Sequence, residues 1–206
     1  MNRALVAAVI AAGILAGAAA AVLATRERAA PPALERATVF AEPRPLPAFT
    51  LVDASGQAFG PERLRGHWSL LFFGFLNCPD ICPTTLATLA AAKAALASLP
   101  AGARPAILFV SVDPGRDTPQ LIGRYVAHFD PTFSGATGSR EAIDALAAAL
   151  GVAVMIGPTA DDGSYAVDHS AAIFLVDPGA RIAALFGTPH DADAIARDYR
   201  RIVAAQ

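Results

Sequence analysis

The chain has 206 residues, a formal charge of −2 and no basic cluster able to track a phosphate backbone, which argues against a nucleic-acid partner. That length accommodates one domain with a substantial core plus an appendage, and alanine inflates the 54% hydrophobic content. Two cysteines are too few to staple a small secreted fold, so a core must hold the structure and the pair is available for chemistry.

Met1-Asn2-Arg3 precedes an uncharged run from Ala4 to Ala24, after which Arg26, Glu27 and Arg28 restore charge. At about 1.5 Å per residue, roughly 20 helical residues cover a hydrocarbon core of about 30 Å, so residues 1–25 read as a single membrane anchor. The run exceeds the core of a usual cleaved signal, although small residues around Ala18 to Ala24 also offer A-x-A-like cleavage sites. Either way the bulk of the chain is exported, and a three-residue head most simply leaves the C-terminal domain outside the cytoplasm. Residues 26–47 carry Pro31, Pro32, Pro43, Pro45 and Pro47 without an apolar period. They are expected to form an extended tether, with the domain occupying residues 48–206.

Within that domain, Phe49, Leu51 and the Ala54-Ser55-Gly56-Gln57 stretch suggest a short strand and turn, with Phe59 in a second strand. Leu70-Leu71-Phe72-Phe73-Gly74-Phe75 is apolar without interruption, the pattern of a strand buried on both faces, so its aromatics read as core. After Pro83, apolar residues at Leu86, Leu89, Ala92, Leu96 and Leu99 recur at helical spacing. Ala106 to Val112 forms another buried strand, ended by Asp113-Pro114-Gly115; Thr118-Pro119 and Ser139 each cap a further helix, the second closed by Gly151. Ala171 to Val176, the turn Asp177-Pro178-Gly179 and Arg181 to Phe186 make a hairpin, and a last helix runs from Asp191 to about Val203. The order implies an α/β fold with a mixed central sheet flanked by helices on both faces.

Cys78-Pro79-Asp80-Ile81-Cys82-Pro83 sits where the buried strand hands over to a helix N-terminus. Unpaired amides and the positive end of the helix dipole favour thiolate there, so a thiol pKa below the free value of about 8.5 is expected. Three residues separate the cysteines, which allows both sulfurs to close on one small soft ion. Tyr165-Ala166-Val167-Asp168-His169-Ser170 immediately precedes the hairpin. If that strand neighbours the one leading to Cys78, His169 reaches the thiols; two thiolates and an imidazole suit copper, the sulfurs holding Cu(I) and the nitrogen helping with Cu(II).

With these residues in view, the sequence resembles the Sco/SenC family of copper proteins that assist cytochrome c oxidase assembly. The resemblance runs from about Phe49 to the C-terminus and rests on Phe73-Gly74-Phe75, the Cys78 to Leu86 segment, Ser111-Val112-Asp113-Pro114 with Arg116-Asp117-Thr118, and Val167-Asp168-His169. Leu76-Asn77 stand where Thr-His is frequent in the family, with no ligand lost. The resemblance implies a thioredoxin-like fold, one N-terminal transmembrane helix, and copper ligation by Cys78, Cys82 and His169. For Asp168 it implies a role beside the ligand, in metal transfer or partner docking. It further implies residence in the inner membrane with the domain facing the periplasm, the copper-acceptor subunit of the oxidase as partner, and no small-molecule substrate.

Simpler readings are a structural disulfide for the cysteines and a strand-end role for His169. His67, His128 and His190 read as surface or capping residues, and Asp113 and Asp117 as turn and cap residues. A different class of function, thiol-disulfide exchange on the acceptor's cysteines, would use Cys78 and Cys82 as a redox pair. A peroxide-reducing relative would place a threonine before its reactive cysteine, whereas Thr84 and Thr85 follow both.

Overall fold

The computed structural model describes residues 34–206 and, before them, only Gly13 and Gly17. The expected anchor at 1–25 and the first part of the tether lie outside the described residues. Among those described, no helix is long and apolar enough to cross a membrane.

The strand leading to the cysteines, β4 (Ser69–Gly74), is buried at every position, as an apolar run flanked on both faces requires. It pairs in parallel with β5 (Ala106–Ser111) and antiparallel with β9 (Ile173–Val176), with Phe72 opposite Ile173. Around this centre the eight-stranded sheet runs β1-β10-β9-β4-β5-β6-β2-β3. Its other members are β1 (Ala37–Pro45), β2 (Leu51–Asp53), β3 (Ala58–Phe59), β6 (Ser134–Thr137) and β10 (Arg181–Phe186). Two further strands, β7 (Val154–Ile156) and β8 (Val167–His169), pair only with each other.

Among the described residues four α-helices flank the sheet: α1 (Ile81–Ala95), α2 (Pro119–Phe129), α3 (Arg140–Leu150) and α4 (Ala192–Ala204). Their ends follow the sequence signals. Thr118, Ser139 and Asp191 accept the Leu121, Ala142 and Ala194 amides, and Gly151 closes α3 in the left-handed conformation at φ 73°. Helix α1 packs on α4, and α2 lies against β6 and β2. Phe72, Phe73, Phe109, Phe186 and Tyr199 are fully buried, with Trp68 edge-on to Tyr199 at 6.2 Å between ring centres.

One correction falls on the expected tether. Residues 37–45 form β1, paired antiparallel with β10, so the domain begins well before residue 48. Pro43 and Pro45 are tolerated because β1 is an edge strand, and its register shifts between Val39 and Arg44. Proline and the bulge erase the alternating pattern by which a strand is recognised.

Candidate metal centre

The turn after β4 presents the thiols. The Cys78 amide donates to the Phe75 carbonyl at 3.3 Å, and Cys78 Sγ accepts the Cys82 amide at 3.3 Å. The sulfur thereby takes one of the amides left unpaired in the first turn of α1, whose N-cap residue Asp80 makes no side-chain cap bond. Pro83 sits in that first turn, where its missing N–H costs nothing. Gly74 lets the elements approach: a Cβ there would lie 2.6 Å from Phe109 Cε2 and 3.1 Å from Cys82 Sγ.

The histidine comes from the other side of β4. Because β9 pairs with β4, the Ser170–Ala172 connection carries His169 over the strand end that bears the cysteines. His169 Nε2 lies 3.4 Å from Cys82 Sγ. The other ring nitrogen, Nδ1, is 2.9 Å from the Ser170 carbonyl, which can only accept, so Nδ1 carries the proton and Nε2 faces the sulfur with its lone pair. Phe72 and Phe75 hold the imidazole edge-on, at 6.1 and 5.8 Å between ring centres. These aromatics are core, as expected, and they also orient the histidine.

A cleft of about 330 Å³ opens here, lined by Phe75, Cys78, Pro79, Ile81, Asp168 and His169 among others. Cys82 is fully buried behind it, Cys78 is 9% exposed and Asp168 is exposed. Both cysteines are free thiols, with no structural disulfide between them. Bonds of about 2.3 Å to sulfur and about 2.05 Å to nitrogen, as at a zinc ion, would set those donors about 3.6–3.8 Å apart. The 3.4 Å between Cys82 and His169 is within a few tenths of that spacing, so the donor set fits a soft ion. Among the described residues, however, no three His, Cys, Asp or Glu side chains already surround a common point.

The expected acidic thiol is not found at Cys82. Burial is the main cause that pushes this thiol up, and its coupling to Cys78 adds to the shift. The amide of Cys82 at the helix terminus is given to Cys78 Sγ and not to its own sulfur. Burial likewise holds His169 below its ordinary value, outweighing the Ser170 carbonyl and Asp168, which keeps the imidazole neutral near pH 7.

His190 corrects a second expectation. It is half-buried, edge-on to Phe72 at 6.4 Å between ring centres, with Nδ1 3.1 Å from the Thr85 hydroxyl on α1, and burial lowers its pKa too. His128 is exposed, as expected. Since the folded state binds fewer protons at His169 and His190 than the unfolded state, their contribution to stability is present above about pH 6.5 and lost as pH falls. Thermal unfolding of the metal-free protein is therefore expected to shift to lower temperature between pH 7.5 and 6. His190→Asn should flatten that slope. Asp117, raised by burial, has the opposite sign, its stabilisation being lost as pH rises through its folded pKa.

Asp113 and Asp117 are more than turn and cap residues, because both are buried, at 0% and 1% exposure. Only their contacts reveal this; an Asp-Pro-Gly turn before a capped helix gives no sign of it in sequence.

A free thiol pair at the start of a helix, faced by an imidazole from the strand end beside it, on a mixed sheet flanked by helices, defines a thioredoxin-like protein with a thiol-imidazole site. The family model described as SCO1/SenC matches residues 41–204. A "putative copper-binding protein" of Stutzerimonas stutzeri is 37% identical over 168 residues, 80% of each chain. The mitochondrial SCO2 homolog of Bos taurus is 38% identical over 76% of this chain and 59% of its own length, so the chain spans less than two thirds of that relative. A solved structure of Arabidopsis thaliana ScoI with copper bound superposes with a TM-score of 0.73 at 35% identity, covering 78% of this chain and 98% of that one. The chain belongs to the SCO1/SenC family.

Proposed function

We propose that this protein is a membrane-anchored copper metallochaperone that holds copper with Cys78, Cys82 and His169 and delivers it to the binuclear copper site of cytochrome c oxidase. The observation that carries the reading is the 3.4 Å approach of the bare His169 Nε2 to Cys82 Sγ beside the cleft that Cys78 lines. Two thiols select a soft ion, and a neutral imidazole extends the set to Cu(II). Copper is the cargo. It enters as each sulfur gives up its proton, which offsets the raised pKa of Cys82, and leaves as acceptor thiolates replace Cys78 and then Cys82. The exposure of Asp168 on the cleft wall, without an ion pair among the described residues, supports a role in meeting the partner. The apolar run at 4–24 supplies the anchor, with the domain in the periplasm.

Thiol-disulfide exchange on the acceptor's cysteines is the rival. The place of Cys78 on the cleft wall favours it, and the deeply buried Cys82 with its raised pKa opposes it. The test is Cu(II) and Cu(I) binding by His169→Ala. Cu(II) absorption should change and its affinity fall, while Cu(I), left with both sulfurs, is largely retained. An unchanged Cu(II) spectrum would remove His169 from the donor set.

A further inference from the structure

The hairpin that ends in His169 stands outside the eight-stranded sheet, and no ladder joins it to that sheet. Gly157 donates to the Ala166 carbonyl at 2.9 Å at the mouth of its long loop, yet this fixes the hairpin only to itself. Val167 and His169 pack against the core, and the hydrogen bonds that tie the hairpin's loop to the rest of the domain come from Tyr165, two residues before β8. The Tyr165 hydroxyl donates to Asp113 Oδ1 at 2.6 Å. The guanidinium of Arg116 lies over the Tyr165 ring at 3.8 Å and donates to the Tyr165 carbonyl at 3.1 Å. Arg116 also pairs with the second oxygen of Asp113, which compensates the burial of that carboxylate.

The same loop grips the thiol side. Asp117 Oδ2 accepts the amide of Leu76, two residues before Cys78, at 3.0 Å, and the Ser111 hydroxyl at 2.6 Å. Ser111 Oγ in turn accepts the Asp113 amide at 3.0 Å. A continuous run of hydrogen bonds thus joins Leu76, Asp117, Ser111, Asp113 and Tyr165. It links the turn bearing Cys78 and Cys82 to the hairpin bearing His169 through a loop that contributes no metal donor.

We infer that the β5–α2 loop sets the distance between the two halves of the donor set, with Asp113 and Tyr165 as positioning residues for His169 and Asp117 as the positioning residue for the thiol turn. The inference rests on the copper reading for its consequence and on hydrogen-bond geometry for its substance. A buried carboxylate whose two oxygens are both committed permits few alternative arrangements, so the imidazole arrives already placed.

Tyr165→Phe in the full chain is the test, since it keeps the ring under Arg116 and removes only the hydroxyl held by Asp113. Two readouts apply. In the metal-free protein, amide hydrogen exchange at Val167–His169 should speed up while β4 and β9 keep wild-type protection. In the copper-loaded protein, the Cu(II) absorption and paramagnetic resonance signatures should shift and Cu(II) affinity fall about tenfold, the lower end of what supporting-residue changes produce at metal sites. Cu(I) affinity should stay within about twofold, a split that general destabilisation would not give. Asp113→Asn, which still accepts from Tyr165 but gives up the oxygen held by Arg116, should restore part of what Asp113→Ala loses. Wild-type exchange at Val167–His169 together with a wild-type Cu(II) signature in Tyr165→Phe would overturn the inference. Should His169→Ala leave Cu(II) unchanged, His169 leaves the donor set instead, and the metal-free exchange alone then decides the positioning role.

Discussion

Serine in place of either cysteine is expected to abolish tight Cu(I) binding while the domain stays folded. At position 82 the side chain is fully buried and its Sγ faces a nitrogen lone pair 3.4 Å away. A serine hydroxyl can donate to that same lone pair, so no polar group is stranded and packing changes little. What is lost is the soft donor, because a neutral hydroxyl is a poor ligand for Cu(I). At position 78 a serine oxygen can take over the Cys82 amide, as serine does at many helix starts, so α1 should still form. Changes to residues merely supporting a metal ligand cost about 10–100-fold in affinity. Removing a ligand should therefore cost more than about 100-fold, measured by titrating the reduced protein with Cu(I) against a competing chelator. A Cys78→Ser or Cys82→Ser variant holding copper as tightly as the parent would take that sulfur out of the donor set. The redox reading makes a different forecast, since there the copper affinity of the parent is already weak and the Cys78–Cys82 pair exchanges readily with added thiols.

Much of this site is legible in the chain because its parts are governed by short-range rules. The uninterrupted apolar run of β4, the caps at Thr118, Ser139 and Asp191, and Gly151 after α3 each declare an element boundary locally. The approach of His169 to Cys82 needs one long-range fact, the pairing of β9 with β4, and the apolar strand at 173–176 makes that pairing a natural one. The remainder depends on neighbours that no local pattern encodes. β1 is hidden by its prolines, and β7 and β8 are three residues each, too short to show a period. Cys82 sits at a helix start yet is not acidified, because depth of burial, a tertiary quantity, outweighs the dipole. Asp113 and His190 look like turn and cap residues until the loops that cover them are in place.

The second large effect lies away from the metal, at Asp198. This α4 carboxylate is fully buried and accepts the backbone amides of Glu35, Arg36 and Ala37 at 2.8–3.0 Å, clasping the start of β1. Asp198→Ala is expected to lower the unfolding free energy by about 2–4 kcal/mol. Hydrogen bonds to a charged group contribute about 1.5–3 kcal/mol each, but amides of exposed residues can turn to water once released, which caps the sum. Asp198→Asn keeps one acceptor oxygen and should lose less. The neighbouring Arg197–Glu35 ion pair is exposed on both sides, so breaking it should change stability little. Urea unfolding of Asp198→Ala, Asp198→Asn and Glu35→Gln orders these contributions. Cu(I) affinity should not follow them, since β10 and β9 stand between β1 and the strand that delivers the thiols. A loss of copper affinity in Asp198→Ala equal to that in Cys82→Ser would show that the edge strand governs the site, and an unchanged unfolding curve would show that the clasp holds nothing.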